Sequence, residues 1–140
     1  MSDVRDVWEN NLGEKLVQAV CDAASGTFIT VYIARPEGQR IAGMTTYSDE
    51  GYNPCWQTTT RLAFGARAGA DIIGLTSSFM ADYPKEAEES PRSDGVGMRL
   101  FRDKMVVGVI GLLGLPAAEA VALIAITAQK FGLVTAELRT

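Results

Sequence analysis

Cys55 follows Pro54, and Asn53 precedes both. Asn before Pro is a helix N-cap with Pro at the first helical position, which puts Cys55 in the first turn. Unpaired N–H groups and the positive end of the dipole stabilise a thiolate there. Such a thiolate can act as a nucleophile, a soft ligand for a metal or haem iron, or a redox-sensitive group; an ordinary structural cysteine is the simpler alternative. Asp49 and Tyr52 stand on the segment just before, with Tyr47 and Glu50. A carboxylate and a phenol on one loop can serve as general acid and base, or form a solvated turn. Trp56 can stack on a planar ligand or fill the core. Thr58, Thr59 and Thr60 give three adjacent hydroxyls in a weak helix-forming run. They can bond a ligand or the preceding helical turn. Arg99 sits in a strand-like stretch, where a guanidinium beside a cleft can hold a carboxylate with two parallel hydrogen bonds.

Other chemistries are excluded by composition. The 140 residues contain no histidine, which removes Ser-His and Cys-His catalysis and His-ligated zinc or haem. Two cysteines, Cys21 and Cys55, make neither a disulfide framework nor a metal-ligand spacing. The net charge of −4 and the lack of a basic run argue against nucleic acid as a partner. Apolar residues make up 47% and charged residues 21%, the balance of one ordinary globular domain over residues 1–140. The charged start of the chain is not a secretory signal, and the reading is a cytoplasmic protein with reduced thiols.

The elements that must position these residues follow from periodicity. Val7, Trp8, Leu12, Leu16, Val17, Val20 and Ala24 recur at helical spacing, which predicts a helix over Val4–Ala24. Phe28–Ala34 and Arg40–Thr45 predict a hairpin about Pro36-Glu37-Gly38. A second helix runs from Pro54 to about Arg67, and Asp71 caps a short third one over Ile72–Met80. The polar stretch Pro84–Asp94 predicts a loop, either solvated or a lid over a cleft. Gly97–Arg102 and Met105–Leu113 form a second hairpin around Asp103-Lys104, and a last helix covers Pro116–Phe131.

Met105–Ala128 carries only one charge over 24 residues, long enough for a membrane span. Its Val- and Gly-rich first half and Ala-rich second half instead predict a strand, a tight turn and a helix, with no membrane as partner. Val121–Ile126 leaves that helix apolar nearly all round. Such a helix is covered on both sides, either by a second subunit or by the tail Leu133–Thr140. The expected order α-β-β-α-α-β-β-α is an α+β fold with a central antiparallel sheet flanked by helices.

Three stretches carry a family resemblance. Leu12–Met44 is similar in spacing to the first helix and hairpin of the haem-binding, haem-degrading-domain proteins, also called GlcG-like or HbpS-like. Cys55–Gly65 resembles that family's helix of the type A-x-K-A-x-T-A-x-x-F-G. Arg102–Gly114 resembles R-D-G-x-V-V-G-A-I-G-V-S-G and is followed by Leu115-Pro116-Ala117-Ala118-Glu119. The resemblance implies a profilin-like or GAF-like sandwich, a tendency to oligomerise, and haem or a related small ligand held between the second helix and the sheet. Haem is therefore the cofactor that the resemblance raises.

This chain departs from the family at named places. Val96-Gly97-Met98-Arg99 replaces the family's Gly-Gly-x-Pro, Lys104 stands at the turn Gly, and the helix lysine is missing near Thr58 and Thr59. Arg99 in that position favours an anionic organic ligand over plain haem. The expected ligand contacts are Trp56, Thr59, Met98 and Arg99. The expected function is small-ligand binding. The alternative is a small cofactor-free enzyme of proton-transfer or lyase type acting on an organic acid. There Arg99 anchors a carboxylate while Tyr52, Asp49 or Cys55 handles protons. A third reading is a structural subunit assembled through the last helix.

Overall fold

The computed structural model describes residues 7–24, 29–45, 59, 63, 72–73 and 95–135. Helix α1 spans Leu12–Ala23, and the hairpin strands are β1, Thr30–Ala34, and β2, Arg40–Thr45. A two-residue strand β3, Ile72–Ile73, precedes the long pair β4, Gly95–Arg102, and β5, Met105–Leu113. Helix α2, Ala117–Gln129, leads to a last short strand β6, Val134–Thr135. All six strands join one antiparallel sheet in the order β2-β1-β5-β4-β3, with β6 also on β4. The fold is α+β.

Strand alternation gives this sheet two buried faces. Val31 and Ile33 of β1, Val96, Met98 and Leu100 of β4, and Ile110 and Leu112 of β5 point to one face. There they pack with Leu16, Val17 and Val20 of α1 and Ala120, Ile124 and Ala128 of α2. Tyr32, Ala34 and Val109 point to the other face and cluster with Ala63. Apolar burial on both sides explains why β4 and β5 read as near-continuous apolar runs.

Several expectations are corrected. The first helix does not run unbroken through Val7–Asn11. Asn10 and Asn11 both adopt left-handed backbone, at φ 60°, and helix α1 starts only at Leu12. Asparagine tolerates that conformation better than most residues, so a helical pattern breaks there. Trp8 therefore leaves the helical stripe. Its Nε1–H donates to the Val107 carbonyl at 2.9 Å, and its ring fills the space beside Gly108. A Cβ on Gly108 would lie 2.6 Å from Trp8 Cζ2 and 3.1 Å from the Ala34 carbonyl oxygen.

Ile72 and Ile73 do not open a third helix; they pair with Gly97 and Val96. Two β-branched residues suit a strand, and the rim of β4 offers them backbone partners. The 24-residue apolar run resolves into β5, a turn at Gly114 and α2. Among the described residues no helix is long and apolar enough to cross a membrane. On the outward side of helix α2, Ile126 is 58% exposed. Leu133–Thr135 do not lie over that face; Leu133 enters the core and Val134–Thr135 extend the sheet beside Phe101 and Leu100. Arg102 secures this turn, donating from Nη2 to the Phe131 carbonyl at 3.0 Å and from Nε to the Gly132 carbonyl at 3.3 Å.

The β4–β5 turn holds Asp103 at φ 54° and Lys104 at φ 69°. Two positive φ values are the twist-matched form of a two-residue hairpin, which favours Asn-Gly or Asp-Gly. The resemblance expects glycine where Lys104 stands. Replacing Lys104 by Gly removes the Cβ clash of left-handed backbone and restores part of that gain as unfolded-chain entropy. Lys104→Gly should stabilise the protein by about 0.5–1 kcal/mol in urea denaturation; a loss of stability would contradict the turn assignment.

Gly111 has no such freedom. A Cβ there would overlap the Thr59 carbonyl oxygen and lie 3.2 Å from the Ala63 backbone nitrogen. Neither backbone atom can swing aside as a side chain would. Gly111→Ala should cost about 1–3 kcal/mol in the same assay, as other overpacked sites do, and a neutral result would show that the helical segment stands off the sheet. Cys21, buried in α1, has its thiol pushed up to about 11, first by burial and then by Asp22. The fold thus disfavours the thiolate. Its contribution is complete below the ordinary thiol value near 9 and is lost as pH rises toward 11. Native protein should leave Cys21 unlabelled by a maleimide at pH 8, in a Cys55→Ser background, and label it on unfolding.

Candidate functional site

The residues singled out for chemistry fall into three groups. Asp49, Tyr52, Cys55 and Trp56 lie outside the described residues. Thr59 is helical and fully buried, as is Ala63 one turn later. Four residues apart on a helix, they share one side. That side rests on β5 at Gly111.

Met98 and Arg99 are the third group, and the structure separates them. They are neighbours on β4, so their side chains leave opposite faces of the sheet. Met98 is fully buried among the residues of α1 and α2. Arg99 is partly exposed, and its guanidinium carbon lies 5.3 Å from the centroid of the buried Phe101 ring. That distance is within cation–π range and holds the planar fork at the sheet surface. Register confirms the parity: Arg99 pairs with Val109, which pairs in turn with Ala34, and both belong to the Ala63 cluster. Arg99 and Thr59 therefore stand over the same face, while Met98 cannot join them.

The same row reaches a residue that sequence reasoning did not name. Ala34 pairs with Arg40 across a bulge in β1–β2, so four strands read Arg40, Ala34, Val109, Arg99. At about 4.8 Å per strand, the two arginines stand about 14 Å apart, at opposite margins of an apolar floor. The adjacent row reads Gly43, Tyr32, Gly111, Gly97. Tyr32 is buried, and burial raises its phenol above the ordinary value while Arg40 pulls the other way. Tyr32 is thus a protonated phenol at neutral pH. The signal for Arg40 was the first hairpin, but the row requires the sheet order, which a single sequence does not spell out.

The middle of this floor is occupied. Thr59 and Ala63 touch Gly111, and Ala34 and Val109 are fully buried. A planar ligand has no room between helix and sheet over β1 and β5. The β4 margin, where Gly97 and Arg99 lie, is the part of the face beyond that contact. A separate groove of about 300 Å³ opens between α1 and β2, lined by Glu14, Val17, Arg40, Ile41 and Met44. Of the sequence-named site residues that are described, Thr59, Met98 and Arg99, none lines it. Among the described residues no three Cys, Asp or Glu side chains gather in a group able to hold a metal.

Comparison with known proteins bears on the fold. No family model and no curated protein matches the chain. Solved structures do. One, described as a PduOC–heme complex, aligns with 91% of this chain and 96% of its own at a TM-score of 0.65 and 13% identity. Another, the Ybr137w protein, aligns with 94% of this chain and 81% of its own at a TM-score of 0.55 and 17% identity. At these identities the likeness is one of fold: this α+β architecture is shared with a protein whose structure contains haem.

Proposed function

We propose that this protein binds a small anionic organic ligand at the β4 margin of the face that carries Thr59 and Ala63, with Arg99 as the carboxylate anchor. The observation that carries this reading is the parity of β4, which sets a partly exposed guanidinium on the Thr59 face. The Phe101 ring, itself buried, lies within cation–π range of the guanidinium and so favours this position of the side chain. The fold shared with a haem complex supports small-ligand binding, and the GlcG-like resemblance implies a ligand between the second helix and the sheet.

Haem itself does not fit the described residues. The chain has no histidine, and Met98, the described residue with a thioether to offer an iron on this strand, is fully buried on the opposite face. Arg99 supplies nothing to an iron, while its fork suits any carboxylate, a haem propionate included. The enzyme reading shares the Arg99 anchor, and its proton-handling groups Asp49, Tyr52 and Cys55 lie outside the described residues. We further infer that the chain self-associates through α2, whose outward Ile126 is 58% exposed.

The test is a titration of the purified protein with haemin and with a panel of aromatic and aliphatic carboxylic acids, read by absorbance and by calorimetry. Saturable binding of a carboxylate is expected, weakened about tenfold or more in Arg99→Ala, as befits loss of a charge-assisted pair. Met98→Leu should leave the affinity unchanged. Binding indifferent to Arg99, or no binding by any acid, would overturn the assignment; a histidine-independent Soret shift would return haem to consideration.

A further inference from the structure

Helix α2 carries a second kind of information on its outward face. Ala118, Glu119, Ala122, Ile126, Gln129 and Lys130 are exposed, and Leu123 is half-buried. Glu119, Leu123, Ile126 and Lys130 recur at i, i+4, i+7 and i+11, the spacing of one continuous helical stripe. The stripe has acid at one end, base at the other and aliphatic residues between. It is also symmetric: Glu119 stands as far from the helix midpoint as Lys130 does, and Leu123 as far as Ile126. Small Ala122 beside the midpoint permits close approach of another helix.

We infer that α2 pairs with α2 of a second copy of this chain, antiparallel, about a two-fold axis between Leu123 and Ile126. The two-fold operation sets Glu119 of each copy opposite the partner's Lys130, and Leu123 opposite the partner's Ile126. Both ends of the stripe are then charge-complementary, twice over, whereas a parallel pairing would put like charges together. The face is self-complementary, which is what an isologous contact requires. A single helix pair is small as interfaces go, so the dimer is a reversible one, with dissociation in the micromolar range. This inference rests on the self-association reading above and is independent of the ligand.

Sedimentation velocity of the full chain, from about 1 to about 500 µM, tests it, with circular dichroism as the check on folding. A monomer–dimer equilibrium is expected, abolished over this range by Ile126→Asp. Glu119→Lys and Lys130→Glu should each weaken association about tenfold, since each replaces two attractive contacts with two repulsive ones. The double variant Glu119→Lys/Lys130→Glu should restore it, because the stripe becomes complementary again. A chain that stays monomeric throughout would sink self-association altogether. Association that persists in Ile126→Asp, or charge reversals without rescue, would sink this pairing and leave self-association standing on another surface.

Discussion

Contact between a helix and a sheet is usually held about a side chain's width apart. At Gly111 that width is missing, and the Thr59 carbonyl and Ala63 nitrogen come down onto the strand itself. Much of the second face follows from this approach. It buries Ala34, Val109 and most of Tyr32 beneath Ala63, and so makes a second small core on a sheet already buried on its other side. It also decides where a ligand cannot be. Over β5 at Gly111 the helical backbone lies directly on the strand, and the proposed carboxylate anchor, Arg99, stands on the same face over β4.

A similar economy holds at Gly108, on the opposite face. There the missing Cβ admits the Trp8 ring, and the Val107 carbonyl takes the indole proton. β1 ends at Ala34, paired with Val109, so β5 runs on past its neighbour by several residues. Trp8 occupies the start of that overhang. The glycines of the β5 run, which look from the sequence like a flexible or membrane-compatible stretch, are two docking points on two sides of one strand.

The strands and both outer helices were legible because they rest on patterns longer than a turn. Hairpin β1–β2, the strand–turn–helix division of the long apolar run, and the α+β class all came from alternation, glycine placement and Pro116. The errors fell where a local choice overrode a pattern. Asn10 and Asn11 turn left-handed within a helical spacing, and Ile72–Ile73 take a strand's partners despite a capping Asp71. The tail was one of two covers offered for the apolar helix; its described part instead serves the sheet, where backbone hydrogen bonds pair Val134–Thr135 with β4. Arg40 was invisible as a site neighbour for a different reason. It joins Arg99 only through the sheet order, which brings β1 beside β5 across most of the chain.

Parity along β4 is the step on which the functional reading turns. A strand gives each face every second residue, so a one-residue shift in the pairing of Gly97 with Gly111 would exchange Met98 and Arg99. That exchange is physically barred. It would bury a charged guanidinium among Leu16, Ile110 and Ile124 while exposing a methionine, at a cost of several kcal/mol. The glycine pair alone could not fix the register, since it presents no side chain to either face. Flanking residues fix it instead: Val96, Met98 and Leu100 need the α1–α2 side, and the helical backbone over Gly111 tolerates only glycine beneath it. The arginine reaches the Thr59 face because every neighbour on β4 and β5 excludes it from the other one.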